Sequence, residues 1–369
     1  MVNGGKQIQA TFSLDMNAST LNSLTFNLAA TGSPAITPTT VSYDAPTRVA
    51  TLATPSALMG NTDYLVVVQG AVASSGGVPL TCAYTWNFRT ASTPAVGIAP
   101  VALGAAASFG AFGGNATVTN DGLNTVINGD IGVSAASTKV TGLVDSGGNV
   151  YTITLNNNGK VLGLVYTLTA PPGSVAGAKV TQARIDASAA FAALSPANLP
   201  GGVDVSNLAQ CPSCGGAGGG ADELAGRTLP PGVYRSATGT YDIGGAGRTT
   251  ASLVLDAKGD ANAVWVFQTA DGTGTLNVGL TGPATPATPI QVLLINGGQA
   301  KNVFWYVPAG AIIGTGSTMT GNLLANASIT LSTTGGSPPT AVNTVLNGRA
   351  IALTAAVTMT NTVINVPAP

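Results

Sequence analysis

Two stretches near the end of this 369-residue chain repeat each other. Thr318-Met-Thr-Gly-Asn-Leu-Leu-Ala-Asn-Ala-Ser-Ile-Thr-Leu331 aligns with Val345-Leu-Asn-Gly-Arg-Ala-Ile-Ala-Leu-Thr-Ala-Ala-Val-Thr-Met359. The offset is 27 residues at Gly321/Gly348 and 28 at Thr330/Thr358. Val264-Trp-Val-Phe267 is echoed 39 residues on by Val303-Phe-Trp-Tyr306. A period in the high twenties holding three short strands is the arithmetic of stacked coils, in which inward side chains form ladders. From Val101 onward the chain is therefore expected to be a β-helix.

Composition agrees and excludes much else. The chain has 13 Lys+Arg, 14 Asp+Glu and no His, for a net charge of −1. So few cations argue against a nucleic-acid surface. Without His, the commonest general base and metal ligand are missing, so no metal or cofactor is expected. A polysaccharide-cleaving β-helix would need acidic and basic groups clustered on one face. The Asp residues here are scattered, and no enzyme is expected. Asp256-Ala-Lys-Gly-Asp260 with Asp271 fits turns better than a calcium loop. Lys301-Asn302 and Arg349 are assigned structural hydrogen bonds. Trp265 and Trp305 sit in apolar runs and are assigned to the core.

Residues 6–90 follow another rhythm. Ile8 to Leu14, Ser23 to Ala29, Thr39 to Tyr43, Arg48 to Ala53, Tyr64 to Gly70 and Tyr84 to Thr90 read as strands separated by turns, the pattern of an all-β sandwich. Ala10-Thr-Phe-Ser-Leu-Asp-Met-Asn-Ala-Ser-Thr20, Val41-Ser-Tyr-Asp44, Tyr64-Leu-Val-Val-Val68 and Tyr84-Thr-Trp-Asn-Phe-Arg-Thr90 resemble a bacterial Ig-like domain, a spacer or adhesion module of secreted proteins. The strand such domains carry before Lys6 is not seen, so the chain is expected to come from something longer. The division expected is 1–91 for this domain, 92–100 for a Pro/Gly/Ser linker and 101–369 for the β-helix.

One segment breaks the β rhythm. Val180, Ala183, Ala187, Phe191 and Leu194 recur at helical spacing between Pro171-Pro-Gly173 and Pro196, predicting a helix over Ala178–Leu194. The Gly-rich insert from Gln210 to Ala221 is expected to cap an open edge. Within it Cys211-Pro-Ser-Cys214 is read as a local structural disulfide, with free thiols the alternative, and Cys82 stands alone. No run of 18 apolar residues spans a membrane. The start Met-Val-Asn-Gly-Gly-Lys lacks a signal-peptide core, so a secreted or cell-surface protein whose export signal has been removed is expected.

Val101-Ala-Leu-Gly-Ala-Ala-Ala-Ser-Phe109, Ile127-Asn-Gly-Asp-Ile-Gly-Val133, Leu229-Pro-Pro-Gly-Val-Tyr234, Ala263-Val-Trp-Val-Phe-Gln268, Ala300-Lys-Asn-Val-Phe-Trp305 and Leu346-Asn-Gly-Arg-Ala350 occur in that order. Together they resemble the microbial ice-binding (antifreeze) proteins of the DUF3494 type. The resemblance implies a right-handed β-helix, a flanking α-helix, a cap, a first coil lying beside the last, and one flat face that binds ice; a monomer is expected.

Strand residues i and i+2 lie about 6.7 Å apart and neighbouring strands about 4.8 Å, spacings that suit ice planes. Thr offers a restricted rotamer set, a methyl and a hydroxyl. Residues 302–369 carry one charge, Arg349, as such a face requires. Thr315-Gly-Ser-Thr318 and Thr340-Ala-Val-Asn343 match the family's Thr-(Ala/Gly)-x-(Thr/Asn) motif. The preferred set is therefore Thr315, Ser317, Thr318, Thr320, Thr340, Asn343 and Thr344, with Met319 inward. A second set is Ser328, Thr330, Thr358 and Thr360, on a different face. Thr117, Thr119 and Asn124-Thr125 extend one row or the other if the first coil sits by the last. Thr is a good strand former anywhere, so the array and the charge gap, not any single Thr, carry this reading. The rival is a cell-surface adhesin for carbohydrate or protein, which would expose aromatic side chains.

Overall fold

The computed structural model describes residues 8–30, 35–36, 40–53, 58, 63–89, 98–169, 175–205, 222–236, 238–244, 252–279, 290–331 and 343–368. The chain divides into two compact units, Met1–Gly97 and Ile98–Pro369. Cys211, Cys214, Thr340 and the Gly-rich insert lie outside the described residues. Cys82 is exposed with a free thiol.

The first unit is two antiparallel sheets. One pairs Val49–Ala53 with Ile8–Thr11 and Thr40–Asp44; the other runs Ala35–Ile36, Phe26–Ala30, Asp63–Val68, Tyr84–Arg89. Alternation drives this packing: Phe26, Leu28, Leu52, Tyr64 and Val66 are buried while their strand neighbours face outward. The strand Ala35–Ile36 lacked any signal of its own.

In the second unit the pairing is mostly parallel. Val303–Val307 pairs with the second half of Thr318–Ala325 in a thirteen-stranded sheet, Ala311–Ile313 between them joins a seven-stranded sheet, and Leu253–Asp256 and Val292–Ile295 belong to a three-stranded one. Inward residues form ladders across successive circuits. Tyr234, Phe267 and Trp305 stack at 5.4 and 4.1 Å between ring centroids. The buried indoles donate to backbone, Trp265 Nε1 to Leu229 O at 3.2 Å and Trp305 Nε1 to Thr320 O at 2.9 Å, so neither is an exposed platform.

The helix α1 (Val175–Leu194) begins three residues before its predicted start. Its buried Val180, Ala183, Ala187, Ala190 and Leu194 pack on Phe112, Val266, Phe304, Tyr306, Leu324 and Ile351. One sheet is thereby apolar on both sides. No described helix is long and apolar enough to cross a membrane.

The first circuit does not lie at an end. Val118–Asn120 pairs with Val357–Met359 on one side and Val140–Thr141 on the other. Phe109–Gly113 likewise pairs with the strand ending at Ala352, and Val126–Asn128 with Thr362–Asn365. The first and last circuits are thus neighbours, as the resemblance implied. Arg349 sits at this seam, 3% exposed. Its guanidinium donates to Ala107 O (2.7 Å), Asn322 Oδ1 (2.8 Å) and Pro367 O (3.0 Å). Burial away from water brings its pKa down to about 10.

Candidate ice-binding surface

With the helix covering one sheet, two sheet surfaces stay open. The first is a seven-stranded sheet in the order Val140–Thr141, Val118–Asn120, Val357–Met359, Ile329–Leu331, Ala311–Ile313, Leu276–Val278, Tyr241–Ile243. Each strand buries alternate residues: Val118, Val357, Ile329, Met359, Leu331 and Ile313 are 0% exposed. The residue between them must point outward. The parallel register then puts Thr141, Thr119, Thr358 and Thr330 in one row, followed by Ile312, Asn277 and Asp242.

A second row begins two residues earlier. Thr117 O, Ala356 O, Ser328 O, Gly310 O and Thr275 O accept from Val357, Ile329, Ala311, Leu276 and Tyr241 N respectively, so the register continues through these positions. Their side chains are small and partly or fully exposed. Charge appears only at the ends of the two rows, at Lys139 and Asp242. Rungs about 4.8 Å apart and columns about 6.7 Å apart follow from parallel pairing. Between these ends the outward side chains of this threonine sheet are short, apart from Ile312 and Asn277 towards the Asp242 end.

The sequence-preferred set fares differently. Thr315, Thr318 and Asn343 are partly exposed. Ser317 and Thr344 are 0% and Thr320 4% exposed, so these three are not on the surface expected of them. The reason is local. Thr315-Gly-Ser-Thr318 forms a corner between two sheets; Ser317 Oγ is buried there without a hydrogen-bond partner, and the neighbouring Thr344 and Thr320 hydroxyls are spent on backbone. Thr344 Oγ1 accepts from Gly316 N at 3.2 Å and donates to Gly314 O at 3.3 Å; Thr320 Oγ1 donates to Val292 O at 2.8 Å. In the second set Ser328 is exposed and Thr330 and Thr358 partly so, whereas Thr360 is 7% exposed and turned into a corner. Thr125 is likewise buried and accepts from Thr362 N.

Thr141 was missed by the sequence reading. Its only local mark is the alternation in Lys139-Val140-Thr141, and its place beside Thr119 depends on a pairing between circuits. The acidic residues weighed for calcium act in turns: Asp256 Oδ1 accepts from Lys258 N (2.9 Å) and Asn296 Nδ2 (2.7 Å), and Asp260 Oδ1 from Asn262 N (2.8 Å). Asp271 instead accepts from the Tyr306 hydroxyl at 2.7 Å.

The Ice-binding-like family profile matches residues 112–365, and the bacterial Ig-like domain profile matches 1–90. An ice-binding protein of Nostoc sp. (strain HG1) is 34% identical over 264 residues, covering 71% of this chain and 73% of that protein. Ice-binding protein 1 of Shewanella frigidimarina (strain NCIMB 400) is 28% identical over 323 residues; these are 84% of this chain but 32% of that longer protein. Among solved structures, an ice-binding protein from an Arctic yeast superposes with a TM-score of 0.53 at 23% identity, covering 73% of this chain and 95% of that one. That last likeness concerns fold alone. Two thirds of the chain fall within one family profile and match a relative of similar length: the chain belongs to the Ice-binding-like family and carries a bacterial Ig-like domain ahead of it.

Proposed function

We propose that this protein adsorbs to ice through the threonine sheet, by physical attachment without a reaction, metal or cofactor. The observation that carries this is the in-register row Thr141–Thr119–Thr358–Thr330. Each of these side chains stands on a strand whose inward neighbours are fully buried, so the row is rigid before it meets a lattice. Adsorption then orders little that is not already ordered. Each Thr methyl leaving liquid water contributes about 0.8 kcal/mol, and many weak contacts acting together hold a growing face. We assign the circuits to a right-handed β-helix. Residues 1–91 are a spacer domain, 92–100 a linker and 101–369 the ice-binding domain of an exported monomer. The adhesin reading draws no support from Trp265 and Trp305, both buried.

Thr358→Tyr tests the site. A tyrosine in mid-row lifts the sheet off the lattice, so thermal hysteresis should fall at least fivefold with the melting temperature nearly unchanged, since the position faces solvent. Undiminished hysteresis and crystal shaping would show that the threonine sheet is not the ice-binding surface.

A further inference from the structure

The tetrapeptide Thr-Val-(Ile/Leu)-Asn occurs three times, at Thr125-Val-Ile-Asn128, Thr344-Val-Leu-Asn347 and Thr362-Val-Ile-Asn365. The fold brings the three copies side by side. Val345 pairs with Val363 and Val363 with Val126; Asn347 pairs with Asn365 and Asn365 with Asn128. In each copy the Thr and the Ile or Leu are 0% exposed, and the Val and Asn face out. Thr318, in register with Val345, extends the valine row by one rung.

The three asparagines form a ladder. Asn128 Nδ2 donates to Asn365 Oδ1 at 2.7 Å, and Asn365 Nδ2 donates to Asn347 Oδ1 at 2.9 Å. Hydrogen bonds chained head to tail polarise one another and fix each amide's orientation. The Asn365 amide spends one donor and one acceptor on the ladder, leaving one N–H and one lone pair at set positions. Beside it runs the column of β-branched Val side chains, stiff at χ1. The result is a second two-column array with the strand spacings of the threonine sheet. No charge interrupts it until Lys160, the rung after Val126. The two arrays face different ways. Asn361, with φ +46°, turns the chain sharply between Met359 of one sheet and Thr362 of the other.

Building on the proposed ice-binding function, we infer that this valine–asparagine sheet is a second ice-binding surface, engaging a different crystal plane from the threonine sheet. Fixed amides order water at the lattice repeat, and the valines leave liquid water as the threonine methyls do. A protein partner would be expected to meet aromatic or charged anchors, and neither row offers one over these rungs. Two surfaces at an angle let one molecule hold back growth along two sets of planes.

The test uses the full chain, fluorescently labelled, on a single hemispherical ice crystal, whose glow reveals the planes occupied. Wild type should decorate two plane families. Thr358→Tyr should erase one, Val363→Tyr the other, and the double variant both. Asn365→Ala, which breaks the ladder without adding bulk, should dim the same family as Val363→Tyr. Circular dichroism and melting temperature confirm folding in each case. If wild type decorates one family and Thr358→Tyr alone erases it, the second surface does not exist. If Val363→Tyr erases everything and Thr358→Tyr nothing, the threonine-sheet reading fails instead.

Discussion

Val303–Val307 and Ala311–Ile313 are a few residues apart on the same circuit, yet all five residues of the first are buried while Ile312 of the second is exposed. Both strands feed the same interior. What differs is the outward side chain. On the helix side it is Phe304, Tyr306, Leu324 or Ile351, and α1 closes over it; on the threonine sheet it is Thr330, Thr358 or Thr119. A lid gains about 25 cal/mol per Å² of apolar surface covered, which large side chains supply and a row of hydroxyls does not. The lesson is that one backbone repeat makes two kinds of surface, and the side chain at the outward position decides which is sealed.

The contrast can be broken from its sealed side. Phe304→Thr puts a threonine-sheet residue under the helix, removing a side chain that is 1% exposed. Such truncations cost about 3–5 kcal/mol, so calorimetry should show the second unit melting roughly 10 °C lower. A shift under 2 °C would mean that the helix contributes little to stability.

Alkaline pH sharpens it next. Burial, with help from the Asp271 carboxylate, pushes the Tyr306 pKa well above its ordinary value. The unfolded chain loses that proton near pH 10 while the folded protein keeps it, so stability falls as pH rises beyond 10. The slope attributable to this tyrosine is up to about 1.4 kcal/mol per pH unit. In denaturant titrations at pH 10 and 11, Tyr306→Phe should flatten the fall by about that amount. An unchanged slope would place the phenol in water.

The smallest effect belongs to the open side. Thr330→Val keeps the methyl and the shape and replaces only the hydroxyl. Thermal hysteresis should stay within about twofold of wild type and the melting temperature within about 1 °C. A loss as deep as that from a bulky residue would make the hydroxyl, and not flatness, the binding group.

Much of this was legible in the chain itself. The 27–28 residue offset predicts that Thr330 and Thr358 share a row, and helical spacing predicts α1 to within three residues at one end and to the residue at the other. Period-two alternation, however, cannot see a corner. Thr320 and Thr344 belong to strands by every local measure, yet the backbone bends beside them and their hydroxyls serve carbonyls of neighbouring circuits. Nor can local pattern show which strands meet when the chain does not stack in order. Arg349, assigned a structural hydrogen bond to a neighbouring turn, reaches Ala107 from 242 residues away. The thrice-repeated Thr-Val-(Ile/Leu)-Asn was in plain view, but its meaning depended on knowing that its copies touch.

That out-of-order stacking has a consequence for how the molecule comes into being. Asn124 and Thr125 bond to Asn361 and Thr362, 237 residues later. During synthesis, at about 5–20 residues per second, the earliest strands of this unit are made first and wait longest, because the neighbour on one side of them is made 237 residues later. Closing so long a loop is slow, and until it closes the strand edges of both segments stand open. Losing Thr362–Asn365 would thus do more than remove one strand: it would leave Val126–Asn128 without its neighbour on that side. The unit closes only when Thr362–Asn365 reaches Val126–Asn128, so a chain cut before Thr362 should leave that strand edge open rather than give a smaller version of the fold.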